Sequence, residues 1–492
     1  MPCEFCQPAT ASSASLSKAP AQNASSDTVA GLEAEITSVE SAMEMLVQRR
    51  TTLRRKINAL SPTAQLPAEI LTEIFRLVCQ RTEDDARLIT PLLFGGICKE
   101  WRDIAWSTPL LWNTICLHLS RTMHGSRVQL LREWLLRANT SPLYIKLTSD
   151  NEDDATFCSL HTIMDTLVAR STYWYSLDCL LPFQCHNLLR DHHFPMLTSV
   201  SVHPPKGTIS TFSEPPNMFL SAPKLFDVDL SGYNFPAIVL PWGQLRRFKT
   251  QFLTVAECLK VLRRSPNLKE CRLESVYSPE IIASPVSETL YSALEILDVS
   301  LIKGSAISLL DNVTLPALRE LRVNYSGVGG LLMSAIRSLF LRSGCDLRRL
   351  CIEKHNFHTD DLIFCLKTIP SLTHLRLFSS GDVTHTSMGL TENMVSMLDP
   401  SRHASPLLPN LTSLEYRGRV FCGLPAILAL AESRHCFVAE HAKGALALPG
   451  LCMLEITSTA QYDVPREAQE TIARLRAAGM AISVCSITGD LS

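Results

Sequence analysis

The side chains best suited to chemistry lie in a few short clusters. Cys3 and Cys6 form a C-x-x-C pair. Two thiolates at that spacing supply half of a tetrahedral zinc site, which needs four ligands and usually a second such pair. The sequence has no second pair, and Ala, Ser and Pro surround the first, so it is read as part of a polar tail. His355 to Asp361 holds two His and two Asp, a set that can bind a metal. It falls between a strand-like and a helical segment and is read as a polar loop. Asp150 to Asp154 is acidic but lacks the spacing of a calcium loop. Gly327-Val-Gly329-Gly330 lacks the last glycine of a dinucleotide turn. No phosphate loop, nucleophile elbow or H-E-x-x-H pair occurs, nor a RING-type cysteine array. The expectation is a non-catalytic chain without metal or cofactor.

Composition narrows the partners. The chain has 492 residues, 46% of them hydrophobic, which suffices for two or three domains with a large core. With 19% charged residues and a net charge of −2, it offers no electrostatic reason to bind nucleic acid or an anionic membrane. Met1 to Ser17 lacks the apolar run of a signal peptide. The longest apolar run, Leu424 to Ala431, is far below the roughly 20 residues of a membrane span. The 17 cysteines are scattered and odd in number. In a reducing compartment they read as small core residues. These features predict a soluble protein of the cytoplasm or nucleus.

Five segments follow from the pattern along the chain. Residues 1–30, rich in Ala, Ser and Pro, bury too little apolar surface to order and are expected to be disordered. In residues 31–61, Leu32, Ile36, Val39, Met43, Leu46, Arg50, Leu53, Ile57 and Leu60 follow alternating steps of four and three. That spacing predicts a coiled-coil-type helix of about 40 Å with one charge in its seam. It serves self-association through residues 32–60 as a homodimer, or a rod for a partner, or it folds back on its own domain. In residues 62–119, Leu66-Pro67-Ala68-Glu69 opens a helix with a Pro where no hydrogen bond is lost. Ile70, Leu71, Ile74, Phe75 and Val78 give that helix its apolar positions, and Ile97, Trp101, Ile104 and Ala105 line a second. Ser107-Thr108-Pro109 stops it, and Leu110-Leu111-Trp112 begins another apolar cluster. This is a three-helix unit with more apolar surface than it can bury by itself, so it wants a partner.

Here the spacing resembles a known family. Leu66-Pro67-x-Glu69-Ile70-Leu71-x-x-Ile74-Phe75 resembles the opening of the F-box. Ile97-Cys98-Lys99-x-Trp101-Arg102-x-Ile104-Ala105 and Pro109-Leu110-Leu111-Trp112 resemble its second half, in the form seen in fungal F-box proteins, where a heptad helix often precedes the box. The resemblance covers about a tenth of the chain. It implies docking on the Skp-type adaptor subunit and, through it, on a cullin. Carried over, Leu66 and Pro67 contact the adaptor, and Ile70, Leu71, Ile74 and Phe75 supply the first helix to that interface. Ile97, Cys98, Trp101 and Ile104 divide between interface and core, and Trp112 completes the set. The connector Cys79 to Thr90 is longer and more charged than in the shortest F-boxes. The implied function is that of a substrate receptor of a Skp–cullin–F-box ubiquitin ligase, holding a protein substrate near the conjugating enzyme. The alternative is an F-box scaffold that acts outside ubiquitination.

Residues 120–193 read as a connecting α/β region, with Val128 to Ala138 helical and Leu143 to Leu147 strand-like. From residue 194 to 490 a P-x-L-x-x-L-x-L pattern recurs, as in Pro195-Met-Leu197-Thr-Ser-Val200-Ser-Val202 and Pro316-Ala-Leu318-Arg-Glu-Leu321-Arg-Val323. Further copies start at Pro223, Pro266, Ala293, Asp346, Pro370, Pro409 and Pro449, with a weaker one through Leu245 and Phe248. Its last two apolar positions are two apart and share one face of a strand. Helical segments such as Val255 to Arg264 and Leu331 to Arg342 separate the copies. One strand and one helix per unit is the pattern of leucine-rich repeats. The expected fold class is therefore α/β: a long helix, a three-helix F-box, and an irregular leucine-rich-repeat-like solenoid. On its strand face Asp227, Asp229, Arg272, Asp298, Arg322, Arg376 and Glu415 would project between the buried positions, a mixed-charge row suited to a protein substrate.

Overall fold

The computed structural model describes residues 28–79, 91–119, 125–149, 157–181, 187–203, 219–231, 239–278, 289–302, 304–325, 331–354, 357–379, 389–403, 405–441, 450–459 and 465–486. The Cys3/Cys6 tail, the connector after Cys79, the acidic run at Asp150 and the glycines at 327–330 lie outside these residues. The chain is mixed α/β and divides into two compact units, Met1–Leu111 and Trp112–Ser492.

The described part of the first unit is helical. The heptad segment forms α1, Val29–Ala59, whose first turn is capped by the Thr28 hydroxyl accepting from the Gly31 amide at 3.3 Å. No residue of α1 is buried. Its apolar seam is therefore not folded onto its own unit. Three shorter helices follow: α2 (Ala68–Cys79), α3 (Pro91–Ile97) and α4 (Lys99–Ser107). Their core is aromatic. Phe75 from α2 stacks on Phe94 from α3, with centroids 4.0 Å apart, and lies 5.0 Å from Trp101 of α4. Gly95 is buried in this packing, because a Cβ there would meet the Trp106 ring at 2.2 Å. The Arg102 guanidinium donates to the Gly95 carbonyl at 2.8 Å and ties α4 to α3.

Among the described residues, the second unit is built on one parallel sheet of fourteen strands whose spatial order is their chain order. The strands are β1 (Thr114–Leu119), β2 (Leu143–Ser149), β3 (Trp174–Leu180), β4 (Ser199–His203) and β5 (Asp227–Leu230). Then come β6 (Arg247–Gln251), β7 (Glu270–Val276), β8 (Ile296–Leu301), β9 (Glu320–Tyr325) and β10 (Arg349–Glu353). The last are β11 (His374–Phe378), β12 (Ser413–Gly418), β13 (Met453–Ser458) and β14 (Ala481–Ser486). Parallel neighbours require a crossover, and several crossovers carry helices. Among them are α5 (Gly125–Ala138), α6 (Phe157–Val168), α7 (Val255–Arg264), α8 (Leu331–Ser343), α9 (Thr359–Leu366), α10 (Glu392–Leu398), α11 (Leu424–His441) and α12 (Arg466–Ala477). Thr254 and Glu257 form a reciprocal capping box that starts α7, which then buries Val255, Cys258, Leu259, Val261 and Leu262.

The register explains the repeat. The residue before the x-L of each pattern falls on one continuous row across the sheet. That row runs Ile115, Ile145, Leu177, Val200, Val228, Phe248 and Cys271, then Leu297, Leu321, Leu350, Leu375, Leu414, Leu454 and Ile482. Every member is buried. The leading leucines that turn the chain into each strand, such as Leu197, Leu268, Leu318 and Leu411, are buried as well. One helix is pinned by a buried cation. Arg434 of α11 donates to the carbonyls of Leu398 (2.8 Å), Leu408 (3.0 Å) and Leu407 (2.7 Å).

Two boundaries differ from the sequence reading. The sheet begins at Thr114, so residues 120–193 are not a connector but supply β2 and β3. The break between units falls after Leu111, so Trp112 and β1 leave the three-helix segment. Trp112 is fully buried, with its ring edge-on to Trp134 at 4.8 Å and its carbonyl accepting the Trp134 indole N–H at 2.7 Å.

Candidate functional site

Each unit carries one surface with an unusual composition. On the first, α2 is apolar on two faces. Leu71 and Phe75 point into the aromatic core and are buried. Ile70, Ile74 and Leu77, spaced by four and three along the helix, share another face and are exposed, Ile70 by 49% and Leu77 by 55%; Val78, near the helix end, is exposed as well. Leu66, Pro67, Leu92, Leu93, Ile97 and Leu110 are exposed too. Cys98 is half-buried and caps α4, its Sγ accepting from the Trp101 amide at 3.4 Å; Trp101 and Ile104 are also half-buried.

Three residues expected at the adaptor interface are thus corrected. Leu71 and Phe75 are buried because they lie about 100° round α2 from Ile70 and Ile74, on the stripe where Phe75 meets Phe94 and Trp101. Trp112 belongs to the core of the second unit. Leu77, Val78, Leu92, Leu93 and Leu110 were missed as surface residues. Leu77 carried a readable signal, since it lies three residues after Ile74 on the same helical face.

On the second unit the row next to the buried one carries charge. Asp229, Lys249, Arg272, Asp298 and Arg322 pair in register, followed by Cys351, Arg376, Glu415 and Glu455. Six of the seven expected residues stand on this row. Asp227 stands two residues earlier on β5, in register with Arg247 and, beyond it, Glu270. Lys249, Glu320, Arg349 and Glu353 were not anticipated. The strands that carry them were recognised, but no charge of β6 or β10 was assigned to the face, and of β9 only Arg322 was.

Most of these charges are paired. The Arg376 guanidinium grips Glu415 with two hydrogen bonds, of 2.6 and 2.9 Å, and Glu415 raises the Arg376 pKa. Arg322 bonds Glu320 at 2.7 Å, Arg272 bonds Glu270 at 2.8 Å, and Arg247 bonds Asp227 at 2.6 Å. Lys249 lies 3.3 Å from Asp229 and 3.5 Å from Glu274. Burial pushes the Asp229 carboxyl up, but His203 and Lys249 together outweigh it and hold it below the usual range. For Asp298 burial wins over the nearby Arg322 and Arg272, and its carboxyl is raised.

Across β9 to β12 this face forms a depression of about 280 Å³ lined by Arg322, Arg349, Cys351, His374, Arg376 and Glu415, among others. A cysteine and a histidine lining one depression invite a nucleophile–base reading. The thiol argues against it. Burial and Glu353 push Cys351 up to about 12, so it stays protonated and non-nucleophilic at neutral pH. His374 is lowered by burial and by Arg349, which removes the cationic imidazole that would draw the thiol down. Accordingly, Cys351 should resist a maleimide at mildly alkaline pH while exposed Cys116, Cys452 and Cys485 label readily. Peptide mapping by mass spectrometry reads this out, and early labelling of Cys351 would revive the nucleophile reading. His358, Asp360 and Asp361 do not come together as a metal site; among the described residues no His/Cys/Asp/Glu group does. No helix among the described residues is long and apolar enough to cross a membrane.

No family model and no curated protein matches the chain. Among solved structures, a protein from Bacteroides fragilis is similar over 61% of this chain and 67% of its own, at 13% identity and a TM-score of 0.27. A likeness at that level carries no argument about fold or function.

Proposed function

We propose that the chain is a substrate-recognition adaptor of a Skp–cullin–F-box ubiquitin ligase. The observation that supports this is the exposed apolar face of α2. Ile70, Ile74, Leu77 and Val78 stay in water although the unit already has a closed core in Phe75, Phe94 and Trp101. An apolar helix face next to a complete core suits a partner surface. It lies in the segment whose residues resemble the F-box. The strand-by-strand order of the second unit suits a leucine-rich-repeat-like solenoid, and its charged row would be the face offered to a protein substrate.

The test is co-purification with the Skp-type adaptor. Wild type should capture it in a 1:1 complex. Ile74→Asp, on the exposed face, should leave the protein folded and weaken capture by roughly tenfold or more, the size expected when a charge enters an apolar interface. Leu66→Ala/Pro67→Ala should weaken it too. A folded wild type that ignores the adaptor ends this reading. Cullin-dependent turnover of a bound partner separates a ligase receptor from a scaffold outside ubiquitination.

A further inference from the structure

The helix α1 is unusual in exposing every apolar residue of its seam, Ile36 by 57% and Leu46 by 69%. Its charges are sorted along its length. From Val29 to Gln48 it carries four acidic residues, Glu33, Glu35, Glu40 and Glu44, and no base. From Arg49 to Leu60 it carries five bases, Arg49, Arg50, Arg54, Arg55 and Lys56, and no acid. The helix dipole accounts for such sorting only in the first and last turns. Glu40, Glu44, Arg49 and Arg50 lie in the middle and need another reason.

We propose that α1 pairs with α1 of a second copy of this chain, in antiparallel orientation. The heptad positions decide the direction. With Ile36, Met43, Arg50 and Ile57 at one seam position and Leu32, Val39, Leu46, Leu53 and Leu60 at the other, the residues flanking the seam are fixed. In a parallel pair Glu35 would face Glu40 of the other copy, Arg49 would face Arg54, and the two Arg50 side chains would meet in the seam. In an antiparallel pair Glu33 faces Arg54 and Glu35 faces Lys56, each twice by symmetry. The seam layers become Leu32 with Ile57, Ile36 with Leu53, and Met43 with Leu46. Arg50 packs its aliphatic stem on Val39 and sends its charge outward. Like charges oppose one direction and unlike charges favour the other, so the sequence selects orientation as well as partner. Each Leu60 then lies at an opposite end of the pair, roughly 40 Å from its counterpart by the helical rise. This inference does not depend on the adaptor reading.

Charge reversal on the full chain tests it, with sedimentation equilibrium as the readout. All the reversed residues are exposed, so helix content by circular dichroism should not change. Wild type should be a dimer that Leu46→Asp makes monomeric. Glu33→Lys/Glu35→Lys should weaken self-association by roughly tenfold or more, because attractive pairs become repulsive ones. Arg54→Glu/Lys56→Glu should do the same, and mixing the two variants should restore a heterodimer. A monomeric wild type overturns the proposal. So does a wild-type dimer that survives Leu46→Asp, a Glu35→Lys change that strengthens the dimer, or a mixture that fails to pair.

Discussion

Phe75→Ala should unfold the first unit and leave the fourteen-stranded sheet standing. Phe75 is wholly buried, stacked on Phe94 and 5.0 Å from Trp101, so it sits at the centre of the aromatic cluster. Truncating a buried phenylalanine costs about 3–5 kcal/mol in transfer and cavity terms. A core of so few residues rarely supplies more than about 3–5 kcal/mol in total. The substitution therefore removes most or all of the margin. Hydrogen exchange should show the amides of α2, α3 and α4 losing protection together while those of β5 to β13 keep theirs. Capture of the adaptor should vanish with the fold, unlike Ile74→Asp, where capture falls and protection stays. Retained protection in α2 of Phe75→Ala would mean that the stack carries less of the unit than its geometry indicates.

The second large effect is expected at Arg434. Burial lowers its pKa to about 10, which still leaves it charged at neutral pH. Three backbone carbonyls, of Leu398, Leu407 and Leu408, accept from its guanidinium. Asp399 stands nearby as the counter-charge and itself accepts from the Ser433 hydroxyl at 2.7 Å. Arg434→Leu removes every guanidinium donor; it orphans the Leu398 and Leu407 carbonyls, while that of Leu408 keeps the Leu411 amide at 3.1 Å. At about 1–3 kcal/mol for each unsatisfied buried group, the loss should be about 2 kcal/mol or more. Arg434→Lys should recover only part of it, because an ammonium cannot span three carbonyls as the planar fork does. Urea unfolding of the three proteins measures this. A Leu variant with an unchanged midpoint would show that water replaces the guanidinium at no cost.

How far the sequence foretold these features depends on the local signal. The repeats from Pro195 onward were legible because each combines a turn-setting Leu with two apolar positions of one strand face. Leu318, Leu321 and Val323 are all buried in this way. The first three strands were not recognised as repeats, although Leu143 to Leu147 read as strand-like, because Ile115, Ile145 and Leu177 join the same buried row with no Pro five residues ahead of them. Faces of α2 were misassigned where apolar residues occur on two faces. Spacing alone groups Ile70 with Ile74 and Leu71 with Phe75, and only the positions of Phe94 and Trp101 decide which pair is inside. Arg434 gave no warning, since its acceptors come from residues 26 to 36 positions earlier. The charged row was half legible. Arg376 and Glu415 were placed on the face, but their mutual grip needs the register of β11 and β12.

Because spatial order in the sheet follows chain order, each strand rests only on the strands before and after it. Opening of this sheet is expected to follow the strand order. An opening that starts at β14 must cross each ladder in turn before it reaches the middle, and one that starts at β1 is independent of it. The free energy of opening therefore rises inward from both ends. That profile peaks at β7 and β8, which carry Arg272 and Asp298 of the charged row.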